Sequence, residues 1–149
     1  MSKKTDILSN LRSAKAAHLR WKAHAHAMVE GLPLEEGQIP MIHTDCTFGK
    51  WYYGVGQSLS TISSYAALDE PHEQLHTTYM KIFKLLFGED DRSVFSKMFG
   101  SKAKPAKNLA EAEILMAKLA SISGTVVELL NRLEKDVLAL SDEEIDALM

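Results

Sequence analysis

The chain has a single cysteine, no long apolar run and almost no excess charge, and each of these absences excludes a class of protein. Cys46 has no second cysteine with which to form an internal disulfide. No apolar run approaches the roughly 20 residues of a membrane-spanning helix. The 17 basic and 20 acidic side chains give a net charge of −3, which does not favour nucleic acid or a membrane surface as partner. The first residues lack the apolar core of a signal peptide, so a cytoplasmic protein is expected.

The spacing of apolar residues predicts helices nearly throughout and no convincing strand. Seams that step by four and three residues run over 7–28 and 72–86, and a heptad pattern runs over 109–140. A short helix that carries Cys46 is expected, with Thr44 or Asp45 as its N-terminal cap. The sequence therefore predicts an all-α fold, an antiparallel four-helix bundle with a short extra helix that carries the cysteine.

The length and pattern of the chain predict one helical domain followed by a short tail. A chain of 149 residues is long enough for one domain with a real core. We place the bundle at residues 5–140 and a short acidic tail at 141–149. Charged residues, glycine and proline interrupt the helical pattern over 89–107, where an insert-like loop is expected.

The segment from His72 to His76 has the form H-E-x-x-H, the zinc signature of metallopeptidases. Residues four apart share one face of a helix, so these two histidines can hold one metal ion. A peptidase would use Glu73 as general base and needs a third ligand and an open position for water. No histidine follows His76, Tyr79 replaces the glycine of the extended motif, and no sheet is predicted. A non-enzyme is favoured, with a zinc metallopeptidase that has a glutamate as third ligand as the alternative.

Three histidines and the cysteine fall on positions that face the predicted core. Buried imidazoles need polar partners, which a shared metal ion would supply to His18, His72 and His76. Three imidazoles and the Cys46 thiolate are a typical four-coordinate set for Zn²⁺. In the alternative interpretation His18 is an ordinary core histidine and Cys46 is a small buried hydrophobe. If a metal site exists but His18 does not bind, His43 is the substitute ligand.

The other histidines and the aromatic residues have simpler interpretations. His24 and His26 are expected on the surface. Four aromatic side chains are predicted to pack around the metal site and not to form a ligand pocket: Trp21, Phe48, Trp51 and Tyr79.

The candidate ligands stand in three motifs that resemble one known family. The motifs are Ala17-His18-Leu19-Arg20-Trp21, Cys46-Thr47-Phe48-Gly49-Lys50-Trp51 and His72-Glu73-Gln74-Leu75-His76. In this order they are similar to the chemoreceptor zinc-binding (CZB) domain over roughly residues 5–87, and the helix over 116–140 fits the last helix of that family. The resemblance implies one zinc ion held by all four ligands without an open position, in a bundle that tends to form homodimers.

The same resemblance implies a role in bacterial signalling. CZB domains regulate chemotaxis receptors and cyclic-dinucleotide enzymes, so a chemoreceptor or a diguanylate cyclase is an expected partner. Most are appended to an output module, and a stand-alone form is expected here. The signal would be zinc or an oxidant such as hypochlorous acid, because zinc holds Cys46 as the thiolate that oxidants attack.

The last ten residues resemble the peptide by which the flagellar motor-switch protein binds the chemotaxis response regulator, with the form L-S-x-x-E-I-D-A-L-L. Ser141 and Glu144 are spaced as a capping box. Ile145, Asp146 and Leu148 would contact a groove on the regulator. This predicts, as a further alternative, a zinc-stabilised adaptor for the regulator. The simpler interpretation is a capped acidic helix at the end of the chain.

Overall fold

A computed structural model describes residues 2–30, 46–87 and 106–149, and all regular structure in these ranges is helical. The predicted all-α class is confirmed. The insert-like loop predicted over 89–107 lies almost wholly outside the described residues, and its last two residues already belong to a helix. The helices are α1 (Lys3–Val29), α2 (Thr47–Tyr53), a 3₁₀ helix (Val55–Leu59), α3 (Ser63–Ala66), α4 (Asp69–Phe87), α5 (Ala106–Ala139) and α6 (Asp142–Leu148).

Three long helices, α1, α4 and α5, form the main body of the bundle. Asn108 at the start of α5 donates to the carbonyl of Leu85 at the end of α4 (3.1 Å), so these two helices are antiparallel. Polar pairs also show that α1 and α5 are antiparallel, and α1 and α4 therefore run in the same direction. The pairs are Lys4 with the carbonyl of Leu140 (2.6 Å), Arg12 with Glu134 (2.7 Å) and Lys15 with Asn131 (2.9 Å).

The heptad seam of α5 is the centre of the core. Its buried members face α1 and α4, as the spacing predicted. Each fully buried aliphatic side chain contributes about 1.5–3 kcal/mol relative to exposure. None of the helices in the described part of the chain is both long and apolar enough to span a membrane. The most deeply buried apolar residues of the seam are Ala112, Leu119, Val126, Leu130, Leu133 and Val137.

The short helices between α1 and α4 complete the bundle. Helix α2 contacts α1, and α3 contacts α5, where Ser64 hydrogen-bonds to Asp136 (2.5 Å). Two stacked tyrosines join the end of α2 to α3: Tyr52 donates to the carbonyl of Tyr65 (2.7 Å), and Tyr65 donates to that of Tyr52. Burial, with a smaller effect of nearby Asp69, raises the pKa of Tyr65 to about 12, so its hydroxyl stays a donor at neutral pH. The end of α2 is thereby fixed.

The predicted tail is helical and lies on α1. The capping box is present, since Ser141 accepts from the amide of Glu144 (3.1 Å) and the Glu144 carboxylate accepts from the amide of Ser141 (2.9 Å). Ile145 is fully buried in the core, and Asp146 lies 3.8 Å from Lys3. The first and last helices of the chain therefore hold each other.

Candidate metal centre

Helix α1 supplies a buried imidazole whose orientation is fixed by its own backbone. His18 is 4% exposed, and its Nδ1 donates to the carbonyl of Ala14, one turn earlier, at 2.7 Å. With the proton on Nδ1, the lone pair of Nε2 is available to a metal ion, a common arrangement for histidine ligands. Burial lowers the pKa of His18, and the hydrogen bond to Ala14 opposes this only in part. The neutral imidazole is the form that binds metal.

Cys46 is itself the N-cap of α2, so the prediction that Thr44 or Asp45 caps this helix was wrong. The helix begins at Thr47, and the backbone of Cys46 is extended. Its Sγ accepts the amide hydrogen of Gly49 (3.2 Å), as a capping oxygen usually does. The positive end of the helix dipole faces the sulfur, and a negative charge is favoured at such a position. The sulfur therefore terminates the helix and can also bind a metal ion.

Helix α4 presents the two histidines of the H-E-x-x-H segment from one face. His72 and His76 are 1% and 2% exposed, and their ring centroids lie 4.8 Å apart. The Nε2 of His72 lies 3.3 Å from the Sγ of Cys46. Glu73 between them is exposed, because it occupies a different face of the same helix.

The four residues predicted as ligands come together in space. His18, Cys46, His72 and His76 each offer one ligand atom, and all four atoms lie within 4.8 Å of one another. Zinc–nitrogen bonds of about 2.0–2.1 Å and zinc–sulfur bonds of about 2.3 Å place the ligand atoms of a tetrahedral site with one sulfur roughly 3.3–3.6 Å apart. Small side-chain movements therefore bring the set to zinc geometry, and the sulfur with three nitrogens suits zinc better than magnesium or calcium.

Aromatic rings surround the site, as predicted. Trp21 packs on His76 with ring centroids 4.1 Å apart and stacks on Tyr79. Phe48 meets His72 (5.0 Å) and His18 edge to face. Such a shell fixes the imidazole rings and keeps much of the surrounding dielectric low.

The remaining histidines do not join the site. His26 is exposed and lies 3.1 Å from Glu30, as expected for a surface residue. His24 is only half-buried and lines a cavity beside the site, which the sequence did not suggest. His43, the substitute ligand, lies outside the described residues.

A cavity of about 570 Å³ lies beside α1 and α2 and reaches the metal site. Cys46, His18 and His76 form part of its wall, together with Arg20 and Trp51. The prediction that Trp51 only packs around the site was therefore incomplete. No sequence pattern signalled this cavity, because residues far apart in the chain create it.

The comparison with protein families agrees with this geometry. Residues 18–83 match the chemoreceptor zinc-binding domain. The match begins at His18 and includes Cys46 and the α4 histidines, which confirms the CZB resemblance for this segment, somewhat less than half of the chain. The CZB domain binds zinc, and the three histidines and cysteine stand where a metal ion can be held, so zinc is the cofactor. No curated protein and no solved structure matches the chain significantly.

The CZB match and the position of Glu73 both weaken the peptidase alternative. CZB is a sensory domain and not a known catalytic family. Glu73 is exposed, whereas the two histidines beside it are buried. A general base must lie within hydrogen-bond reach of the metal-bound water that it activates.

Replacement of Glu73 by glutamine is expected to change zinc affinity by no more than about twofold, since surface substitutions away from special features cost within about 0.5 kcal/mol. Competition with a chromogenic chelator measures this affinity. Gln74→Ala on the same exposed face is the matched control. A tenfold loss confined to Glu73→Gln, or peptide hydrolysis that this variant lacks, would restore a role for the carboxylate at the metal.

The residues predicted to bind a response regulator differ in their exposure. Ile145 is buried, Asp146 is exposed and Leu148 is partly buried. The CZB match ends at residue 83 and does not reach the tail, so its resemblance to the motor-switch peptide stays a prediction.

Proposed function

We propose that this protein is a zinc-binding sensory component of bacterial signalling in which His18, Cys46, His72 and His76 hold one zinc ion. The observation that carries the proposal is the convergence of four ligand atoms within 4.8 Å from three separate parts of the fold. The CZB match supports zinc as the ion and signalling as the setting. Four protein ligands would leave no open position, which is typical of a site that does not catalyse hydrolysis.

Zinc binding would join α1, α2 and α4 at one point. Bound zinc supplies a charge that keeps the Cys46 thiol deprotonated and a bond that ties α2 to the two long helices. Because the other end of α2 is fixed by Tyr52 and Tyr65, loss of the sulfur ligand would release only its first turn. Gain or loss of the metal is thus one form of signal available to this fold.

Oxidation of Cys46 is the second form of signal. Cys46 is half-buried as a residue and lines the cavity beside the site, through which a small oxidant would reach the sulfur. Hypochlorous acid would transfer its oxygen to the thiolate: a sulfur–oxygen bond forms, the oxygen–chlorine bond breaks, and chloride leaves with the electron pair. The sulfenic acid is a poor zinc ligand, so α2 would lose its attachment to the metal.

The setting that we propose is the cytoplasm, with a homodimer as the assembly. The chemotaxis context of the CZB domain supports a chemoreceptor, a diguanylate cyclase or a response regulator as the class of partner. The identity of the partner would determine which cellular response follows, whereas the metal site would determine which signal is detected.

The decisive test replaces Cys46 by alanine. Helical content should be retained, because Phe48 and Tyr52 still bury α2, while zinc affinity should fall by more than about 100-fold, the upper range for loss of a supporting residue alone. X-ray absorption of the wild-type protein should show three nitrogens and one sulfur. Unchanged affinity in Cys46→Ala would show that the ligand set is wrong.

The oxidant form of the proposal has its own measurement. Hypochlorous acid should release zinc from the wild-type protein, together with an oxygen adduct on Cys46 in mass spectra. If zinc stays bound while Cys46 is not oxidised, the protein senses the metal and not the oxidant.

A further inference from the structure

The cavity beside the metal site has a marked charge asymmetry. Arg20 lines it, and so does His24, whereas no carboxylate stands among the lining residues that the structure describes. The other walls are aromatic, small or uncharged. A cleft with low-dielectric walls and charge of one sign focuses its field and raises the local concentration of the opposite charge.

The wall of the cavity formed by His18, Cys46 and His76 would also be positive when the proposed ligand set holds zinc. Two positive charges of the ion and one negative charge of the thiolate leave a net charge of +1 at the site. Cys46 and Arg20 line the same cavity, so a small molecule that enters toward the sulfur is exposed to both positive groups. An anion gains from this field, and a neutral molecule of the same size does not.

We propose that this cavity is a charge-selective entrance to the Cys46 sulfur, and that Arg20 is the residue that favours small anions over neutral reagents. A volume of about 570 Å³ is ample for a small oxidising anion such as peroxynitrite. The inference deepens the proposed oxidant sensing by naming the class of reagent. The selectivity that it assigns to Arg20 also holds in the metal-free protein.

The test compares iodoacetate with iodoacetamide. Both react at the same carbon: the Cys46 sulfur forms a bond to the CH₂ group, and iodide leaves with the electron pair of the carbon–iodine bond. They are similar in size and differ in charge. Because the chain has one cysteine, the mass adduct reports on this sulfur alone. Rates are measured on the full chain, with zinc and after its removal.

Arg20→Gln is expected to lower the ratio of the iodoacetate rate to the iodoacetamide rate about threefold at low salt, and near 1 M salt the effect should vanish because the Debye length is then about 3 Å. Arg20→Lys should keep the wild-type ratio. Lys22→Gln is the matched control, since this cation lies on the same helix but does not line the cavity. Arg20 is exposed, so its loss should leave the fold intact, as circular dichroism will show.

Two results would overturn the proposal: an unchanged ratio in Arg20→Gln, or an equal fall in Lys22→Gln, which would reflect the total charge of the protein. The outcome is separable from that of the proposed function, because alkylation needs neither zinc nor an oxidant. If Arg20→Gln lowers the ratio of alkylation rates as expected but hypochlorite does not release zinc from the wild-type protein, oxidant sensing is rejected and the charge-selective entrance is still supported.

Discussion

Replacement of His72 by alanine is expected to lower zinc affinity by more than about 100-fold, beyond the range observed when residues that only support a ligand are changed. The imidazole is 1% exposed, and its Nε2 lies 3.3 Å from the Cys46 sulfur. No other side chain on the buried face of α4 except His76 offers a nitrogen to the site. Competition against a fluorescent chelator at fixed pH gives the affinity, and metal analysis gives the stoichiometry.

Two further histidine variants make this test specific. His26→Ala removes an exposed imidazole of α1 that pairs with Glu30 and should leave zinc binding unchanged. His43→Ala should also leave it unchanged, because His18 supplies the third nitrogen in the proposed ligand set. If His43→Ala loses most of its zinc affinity while His18→Ala binds zinc normally, then His43 and not His18 is the third histidine ligand. Normal binding in His72→Ala would remove α4 from it.

Removal of zinc from the wild-type protein is expected to lower the melting temperature by about 10 °C. Zinc present at about 1,000 times its dissociation constant contributes about 4 kcal/mol to the free energy of unfolding. For a domain of this size each kcal/mol corresponds to roughly 2–4 °C. The contribution should be large because the proposed ligands come from α1, from the N-cap of α2 and from α4, which the metal would join. Thermal melts with chelator, and again after zinc is restored, measure the shift.

The control for this shift is the double variant His72→Ala with Cys46→Ala. It should melt at the same temperature with and without zinc, because only two of the four ligands remain. A shift of equal size in the double variant would mean that zinc acts elsewhere on the protein. If the melting temperature of the wild-type protein does not change when zinc is removed, zinc binding does not stabilise the bundle.

The sequence was sufficient for the long helices because their burial repeats every three or four residues. The seam of α5 from Leu119 to Val137 is buried as its spacing predicted. The short segment between Thr47 and Ala66 was not predictable in the same way, since its helices are too short to display a period. The paired tyrosines that hold it in place depend on contacts between two backbone segments, which no local pattern encodes.

The convergence of His18, Cys46, His72 and His76 was predictable for a different reason. Polar side chains on apolar seams need partners, and a cysteine with three histidines suggests one shared ion. The N-cap position of Cys46 was missed because local capping rules favour Thr44 or Asp45 over a thiol. The position of Arg20 beside the site was missed because residues from separate helices form the cavity, and the local sequence around Arg20 does not indicate it.

The contact between the first and last helices has a geometric consequence for signalling. Lys3 lies near Asp146, and Lys4 reaches the carbonyl of Leu140, so both ends of the described chain emerge at the same pole of the bundle. His18 lies along α1 about 20 Å from that pole, at roughly 1.5 Å per residue. A module fused to either terminus would therefore lie at a similar distance from the metal site. Helix α1 connects the metal site to the pole where both termini lie.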